Sequence, residues 1–152
     1  MHRSIVFLNG HLHSLRKHLY ARHSDGLLEL ELEDWKVNRK FRIVTIDAGI
    51  LSFGDFRFGQ SIYAVICNPK ETKFKTPREP LYRLSQSTHI RIFIDSIVFG
   101  YAVQSIDNKN LYVLPWNPNV YNDNHLHKLT IEIKDNQENT KKLNMIFLLQ
   151  RQ

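Results

Sequence analysis

Apolar residues recur with the period of β-strands along almost the whole chain. Leu28-Glu29-Leu30-Glu31-Leu32-Glu33 alternates strictly, which puts three Leu on one face and three Glu on the other. The Glu face reads as solvated. Phe41 to Ile46 is rich in β-branched residues and predicts a second strand. The polar stretch Asp34 to Lys40 between them reads as a hairpin-type connection. A third strand is predicted from Ile50 to Phe56, with Gly49, Gly54 and Gly59 as punctuation. Upstream, Ser4 to Leu8 is a short apolar run that stops at Asn9-Gly10. A buried strand ending at a functional loop of an α/β layer has this pattern, and so has any plain buried strand. The one helix predicted is short, Leu15 to Ala21.

A second part begins near Ser61. Ile62 to Cys67 is a continuous apolar strand closed by Asn68-Pro69, and His89 to Asp95 alternates. Further strands are predicted at Val98 to Ile106, Leu111 to Trp116, Leu129 to Lys134 and Leu143 to Leu149. Asn-, Asp- and Pro-rich turns separate them. Short strands at this spacing are the pattern of an immunoglobulin-like β-sandwich. The fold class is therefore mainly β, divided into residues 1–60 and a sandwich of residues 61–152.

Composition narrows the reading. At 152 residues, 42% hydrophobic and 24% charged, the chain is globular and suits one domain, or a small domain plus a fragment. Its longest apolar run, Ile62 to Cys67, is far short of the roughly 18–20 residues of a membrane span. The single cysteine, Cys67, excludes an internal disulfide and a Cys-based zinc cluster; it reads as a small buried hydrophobe. Net charge is +6, which raises nucleic acid as a partner. The charge is spread, however, with nine basic and seven acidic residues before position 61. The one local excess, from Lys70 to Arg83, holds two prolines and reads as a solvated basic loop. Nucleic acid is not an expected partner, even with Phe53, Phe56 and Phe58 close to Arg57.

Histidines carry the candidate chemistry. Five of the eight lie between positions 2 and 23, and the sharpest group is Gly10-His11-Leu12-His13. Directly after a strand, a glycine frees the backbone and two imidazoles one residue apart reach neighbouring metal ions. The competing reading is a pair of surface loop histidines. His125-Leu126-His127 sits in an Asn-rich turn and reads as solvated. His89 reads as a hydrogen-bonded histidine at a strand start. Glu29, Glu31 and Glu33 read as a solvated face, since catalytic carboxylates normally come from different elements.

The Gly-His-x-His step resembles that of calcineurin-like metallophosphoesterases, and a wider set of stretches resembles the transmembrane protein 62 family. These are Gly10-His11-Leu12-His13, Leu28 to Leu32 with Asp34-Trp35-Lys36, Leu51-Ser52-Phe53, Asn68-Pro69-Lys70, Glu79-Pro80-Leu81, Ser87 to Arg91, and Leu111 to Leu114 running into Trp116-Asn117-Pro118. They keep their order along nearly the full length. The resemblance implies that residues 1–60 are the C-terminal remnant of a phosphoesterase domain and 61–152 an immunoglobulin-like domain. It implies His11 and His13 as ligands of a dinuclear divalent-metal centre that, in an intact protein, activates hydroxide against a phosphoester substrate. It also implies membrane association through helices further downstream, with residues 61–152 as the module that links the catalytic domain to them. The alternative reading is a non-catalytic β-rich binding module, in which the sandwich of residues 61–152 contacts a protein partner and the N-terminal strands are a packing remnant. The family's other ligand motifs lie upstream of this step. The chain accordingly resembles a fragment, a truncated gene model or a degenerate paralogue. It is expected to be soluble and catalytically inactive alone, with no metal ion held tightly.

Overall fold

The computed structural model describes residues 4–10, 20–95 and 100–149. It is mainly β, 47% strand and 8% helix, in several sheets. Three short strands come first: β1 (Val6–Asn9), β2 (Tyr20–Arg22) and β3 (Leu28–Glu31). They lie in the order β1-β3-β2, with β1 parallel to β3 and β2 antiparallel to it. Leu28 and Leu30 are buried as the alternation requires.

Three sequence expectations change in this region, and a fourth lies mostly outside the described residues. Asp34 to Lys40 is not a hairpin, because β3 and the next strand, β4 (Lys40–Asp47), belong to different sheets. A side chain joins them instead: the Arg42 guanidinium donates to the carbonyls of Leu30 (3.1 Å) and Glu31 (2.8 Å) while paired with Asp55. The Glu face is only partly solvated: Glu31 is 7% exposed, while the Glu29 and Glu33 side chains remain 31% and 27% exposed. Of the helix expected over Leu15 to Ala21, Tyr20 and Ala21 lie in β2, and the rest falls outside the described residues. Finally, β1 is not fully buried: Phe7 and Leu8 are about half exposed.

The hairpin is formed by β4 and β5 (Ile50–Arg57), with Asp47 opposite Ile50. The two residues between them, Ala48 and Gly49, have φ of 50° and 82°. Positive φ at both central positions is the type I′ geometry that matches strand twist, and glycine adopts it without strain.

Beyond the hairpin, β6 (Ala64–Asn68), β7 (His89–Ile94), β8 (Val103–Gln104) and β9 (Leu111–Pro115) form a sheet in the order β6-β7-β9-β8. A pair, β10 (His127–Lys134) and β11 (Thr140–Phe147), packs against it. Ala64, Ile90, Ile92, Ile94 and Tyr112 meet Ile133, with Leu129, Ile131 and Leu143 at the margin. Each fully buried isoleucine contributes about 1.5–3 kcal/mol. The strand expected over Val98 to Ile106 is reduced to Val103–Gln104 among the described residues.

The hairpin explains why Ile62 to Cys67 is apolar at every position. Ala64 faces β10 and β11, while Val65 and Cys67, also buried, lie under β4 and β5. The Ser52 hydroxyl donates to the Cys67 carbonyl at 3.3 Å, and Arg91 of β7 pairs with Asp47 of β4. A strand covered on both faces cannot alternate.

The basic stretch is the largest correction. Residues 70–83 are not a solvated loop: Lys70, Thr76 and Glu79 are buried at 2%, 1% and 6%. Thr76 donates through its hydroxyl to the Gly26 carbonyl, and Arg78 bonds the Ser4 and Asp25 carbonyls and pairs with the Asp25 carboxylate. Lys75 donates to the Leu148 carbonyl beyond β11. Gly26, at φ 84°, leaves no room for a Cβ, which would sit 2.7 Å from Pro77 Cγ. The stretch thus fastens the first sheet, the hairpin and the sandwich to one another. A short helix, α1 (Arg83–Gln86), ends it, with Leu84 buried among Ile50, Met145, Phe147 and Leu149.

Candidate functional site

The carboxyl end of β1 is where the sequence places its chemistry. Among the pairings described, β1 with β3 is the parallel one. Leu28 N–H donates to Ile5 and Leu32 N–H to Asn9, so β3 carries β1 to its last residue. Asn9 is then fixed by its side chain. Its Nδ2 donates to Glu29 Oε1 at 2.6 Å, and Glu29 Oε2 lies 2.9 Å from His23 Nε2. Because the carboxylate only accepts, it dictates which way the Asn9 amide points. Asn9 Oδ1 is buried and has no hydrogen-bond partner among the described residues. Gly10 follows, and His11 and His13 lie outside the described residues.

Among the described residues no three His, Cys, Asp or Glu side chains converge on a point that would hold a metal ion. They supply one uncommitted oxygen, Asn9 Oδ1, at the end of the strand. This does not amount to a metal site, and no step through a metal can be drawn from these residues.

A second arrangement was not foreseen from the sequence. Lys70 Nζ lies 2.7 Å from Glu79 Oε1, with side chains 2% and 0% exposed. The pair grips the main chain of β5. Leu51 N–H donates to Glu79 Oε1 at 2.7 Å, and the Leu51 carbonyl accepts from Lys70 Nζ. In the β4–β5 register Leu51 turns both groups away from β4, so two charged side chains occupy the place of a neighbouring strand. Burial pushes the Lys70 ammonium below its ordinary value, and the bond and charge of Glu79 oppose this. The arrangement is structural. Its residues come from three of the stretches that carry the family resemblance, Leu51-Ser52-Phe53, Asn68-Pro69-Lys70 and Glu79-Pro80-Leu81, which separate in sequence and meet here.

Other expectations are met or modified. Cys67 is buried, which raises its thiol pKa. His89 heads β7 with Nδ1 2.9 Å from the Thr88 hydroxyl. His125 is exposed, but His127 opens β10 and lies 2.8 Å from Asp123, which also contacts His125. Those bonds, the His125 N–H first among them, hold the Asp123 carboxyl well below its usual range. Trp116 is half-buried; its indole N–H donates to the Ser87 carbonyl at 2.7 Å and its ring stacks on Tyr121.

No helix among the described residues is long and apolar enough to cross a membrane. No protein-family model and no solved structure matches the chain. The sequence is 34% identical over 166 aligned residues to transmembrane protein 62 of Mus musculus. The match covers 99% of this chain and 26% of that protein, so the chain spans about a quarter of its relative's length. The family resemblance read from the motifs is therefore shown: along nearly its whole length the chain is similar to one part of a transmembrane protein 62.

Proposed function

We propose that this chain carries the closing segment of a phosphoesterase-like metal site, with His11 and His13 as its metal ligands. Its sandwich joins that segment to a membrane-associated architecture. The observation that carries the reading is the parallel β1–β3 pair. Its carboxyl end presents Asn9 Oδ1, unpartnered among the described residues, and Gly10-His11 follows in the sequence. Parallel strands are the mark of α/β sheets, and such sheets take their ligands at the carboxyl ends of the strands. A dinuclear divalent centre, completed by further ligands, would supply activation of water and neutralisation of phosphate charge there. The chain's own share is to hold Asn9, one residue ahead of the Gly-His-x-His step in sequence, through Glu29 and β3. Two imidazoles do not make such a centre, so the isolated chain binds metal weakly and turns over no phosphoester.

Titration with Mn²⁺, followed through the imidazole resonances, tests this. Paramagnetic broadening of His11 and His13 together, ahead of His125 and His127, supports it. Broadening that begins at His125 and His127, or reaches all histidines alike, contradicts it.

A further inference from the structure

A cleft of about 400 Å³ runs between β5, β6 and β11, lined on one side by Phe53 and Phe56 and on the other by Lys141 to Met145. Strand edges form its walls. In the β10–β11 ladder Asp135 N–H bonds the Asn139 carbonyl, which marks that pair as hydrogen-bonded. Alternation from there turns the main-chain groups of Lys142 and Asn144 away from β10. The type I′ turn sets the same phase in the β4–β5 hairpin, so Phe53 and Asp55 turn theirs away from β4. Leu51, two residues earlier on that edge, has its groups met by Lys70 and Glu79. Among the described residues no backbone bond outside the ladders reaches Phe53, Asp55, Lys142 or Asn144.

Charge selects the occupant. Lys141 Nζ lies 4.7 Å from the Phe56 ring centroid and donates to the Ile62 carbonyl at 2.8 Å. No carboxylate among the described residues forms a salt bridge with it, whereas Lys142 is paired across the strands with Glu132. Lysines on an edge strand commonly guard it against indiscriminate pairing. The carboxylates that line the cleft are already paired, Asp55 with Arg42 and Glu71 with Lys73, so the Lys141 charge favours an acidic strand over a basic one, and the aromatic wall offers apolar contact to its other face.

We propose that this cleft takes up an extended acidic–apolar segment of a partner protein, which pairs with the outer edge of β11 and sets a carboxylate against Lys141. The proposal is independent of the metal reading of His11 and His13. Strand addition to a sheet edge works in this way: main-chain bonds give affinity and alternate side chains give specificity.

Fluorescence anisotropy with the whole chain tests it, using labelled peptides of alternating Val and Glu, of alternating Val and Lys, and a Val–Glu peptide N-methylated at alternate residues. The Val–Glu peptide should bind about tenfold tighter than the Val–Lys peptide, and N-methylation should weaken it by about tenfold or more. Lys141→Glu should abolish the preference for Glu. Absence of binding, equal binding of the two sequences, or indifference to N-methylation would overturn the proposal, and none of these arms needs a variant to fold. Self-association that competes with the peptide would overturn it in favour of a second copy of the chain.

Discussion

Lys70 and Glu79 form a buried ion pair whose main task is to hydrogen-bond the backbone of Leu51. This differs from an ordinary buried pair, which apolar residues of similar volume often replace without loss. Glu79→Ala leaves a buried ammonium unpaired and should cost about 3–5 kcal/mol in urea unfolding. The double variant Lys70→Met, Glu79→Leu should remain well below the parent, because the Leu51 N–H and C=O are then buried unmet at about 1–3 kcal/mol each. A double variant as stable as the parent would show that those main-chain bonds carry no weight.

The hairpin turn holds an alanine at φ 50° beside Gly49. A left-handed conformation costs a residue with a Cβ about 1–2 kcal/mol, and asparagine tolerates it better. Ala48→Asn makes the Asn-Gly pair favoured in type I′ turns and should stabilise the protein by about 1 kcal/mol. Ala48→Val should destabilise it. Thermal melts of the two variants moving in the same direction would contradict the turn assignment.

Acid sensitivity follows from two loop carboxylates. Asp135 accepts from Asn139 Nδ2, Asn139 N–H and Gln137 N–H, and these bonds hold it below its ordinary value of 3.8. Asp123 is lowered by His125 and His127. Both bind protons less readily folded than unfolded, so stability rises with pH in that window. Their contribution is fully present above the unfolded value and is lost as pH falls below about 4. Asp123→Asn with Asp135→Asn should flatten the acid limb of stability against pH. An unchanged limb would mean that neither loop contributes.

The isolated chain should show no turnover of a generic aryl phosphate with Mn²⁺ present, since two imidazoles cannot assemble the dinuclear centre that such hydrolysis requires. Turnover that disappears in His11→Ala or His13→Ala would defeat that statement.

The strands were legible in the sequence because period-two alternation and turn residues are local signals. Leu28 and Leu30 and the strands at Ile90 to Ile94 and Leu111 to Pro115 fell where the pattern put them. Pairing was not legible. Asp34 to Lys40 looks like a hairpin loop, but Arg42 reaching Leu30 and Glu31 replaces the ladder a hairpin would have made. The same holds for residues 70–83, where a run of Lys and Arg suggests solvent. Lys70, Lys75 and Arg78 instead spend their donors on backbone carbonyls 19 to 74 residues away. Only the fold brings those carbonyls within reach. At the candidate site, the step from strand to Gly10 was visible, while Glu29 as the anchor of Asn9 was hidden in an alternation that suggested a wet face.

The proposed metal ligands are the histidines that follow β1, not His125 and His127 at the start of β10. Calorimetric titration of Zn²⁺ into the chain and into two double variants tests this most directly. His11→Ala with His13→Ala should remove the tightest binding phase, and His125→Ala with His127→Ala should leave it in place. The reverse outcome, or a phase unchanged in both, would contradict it.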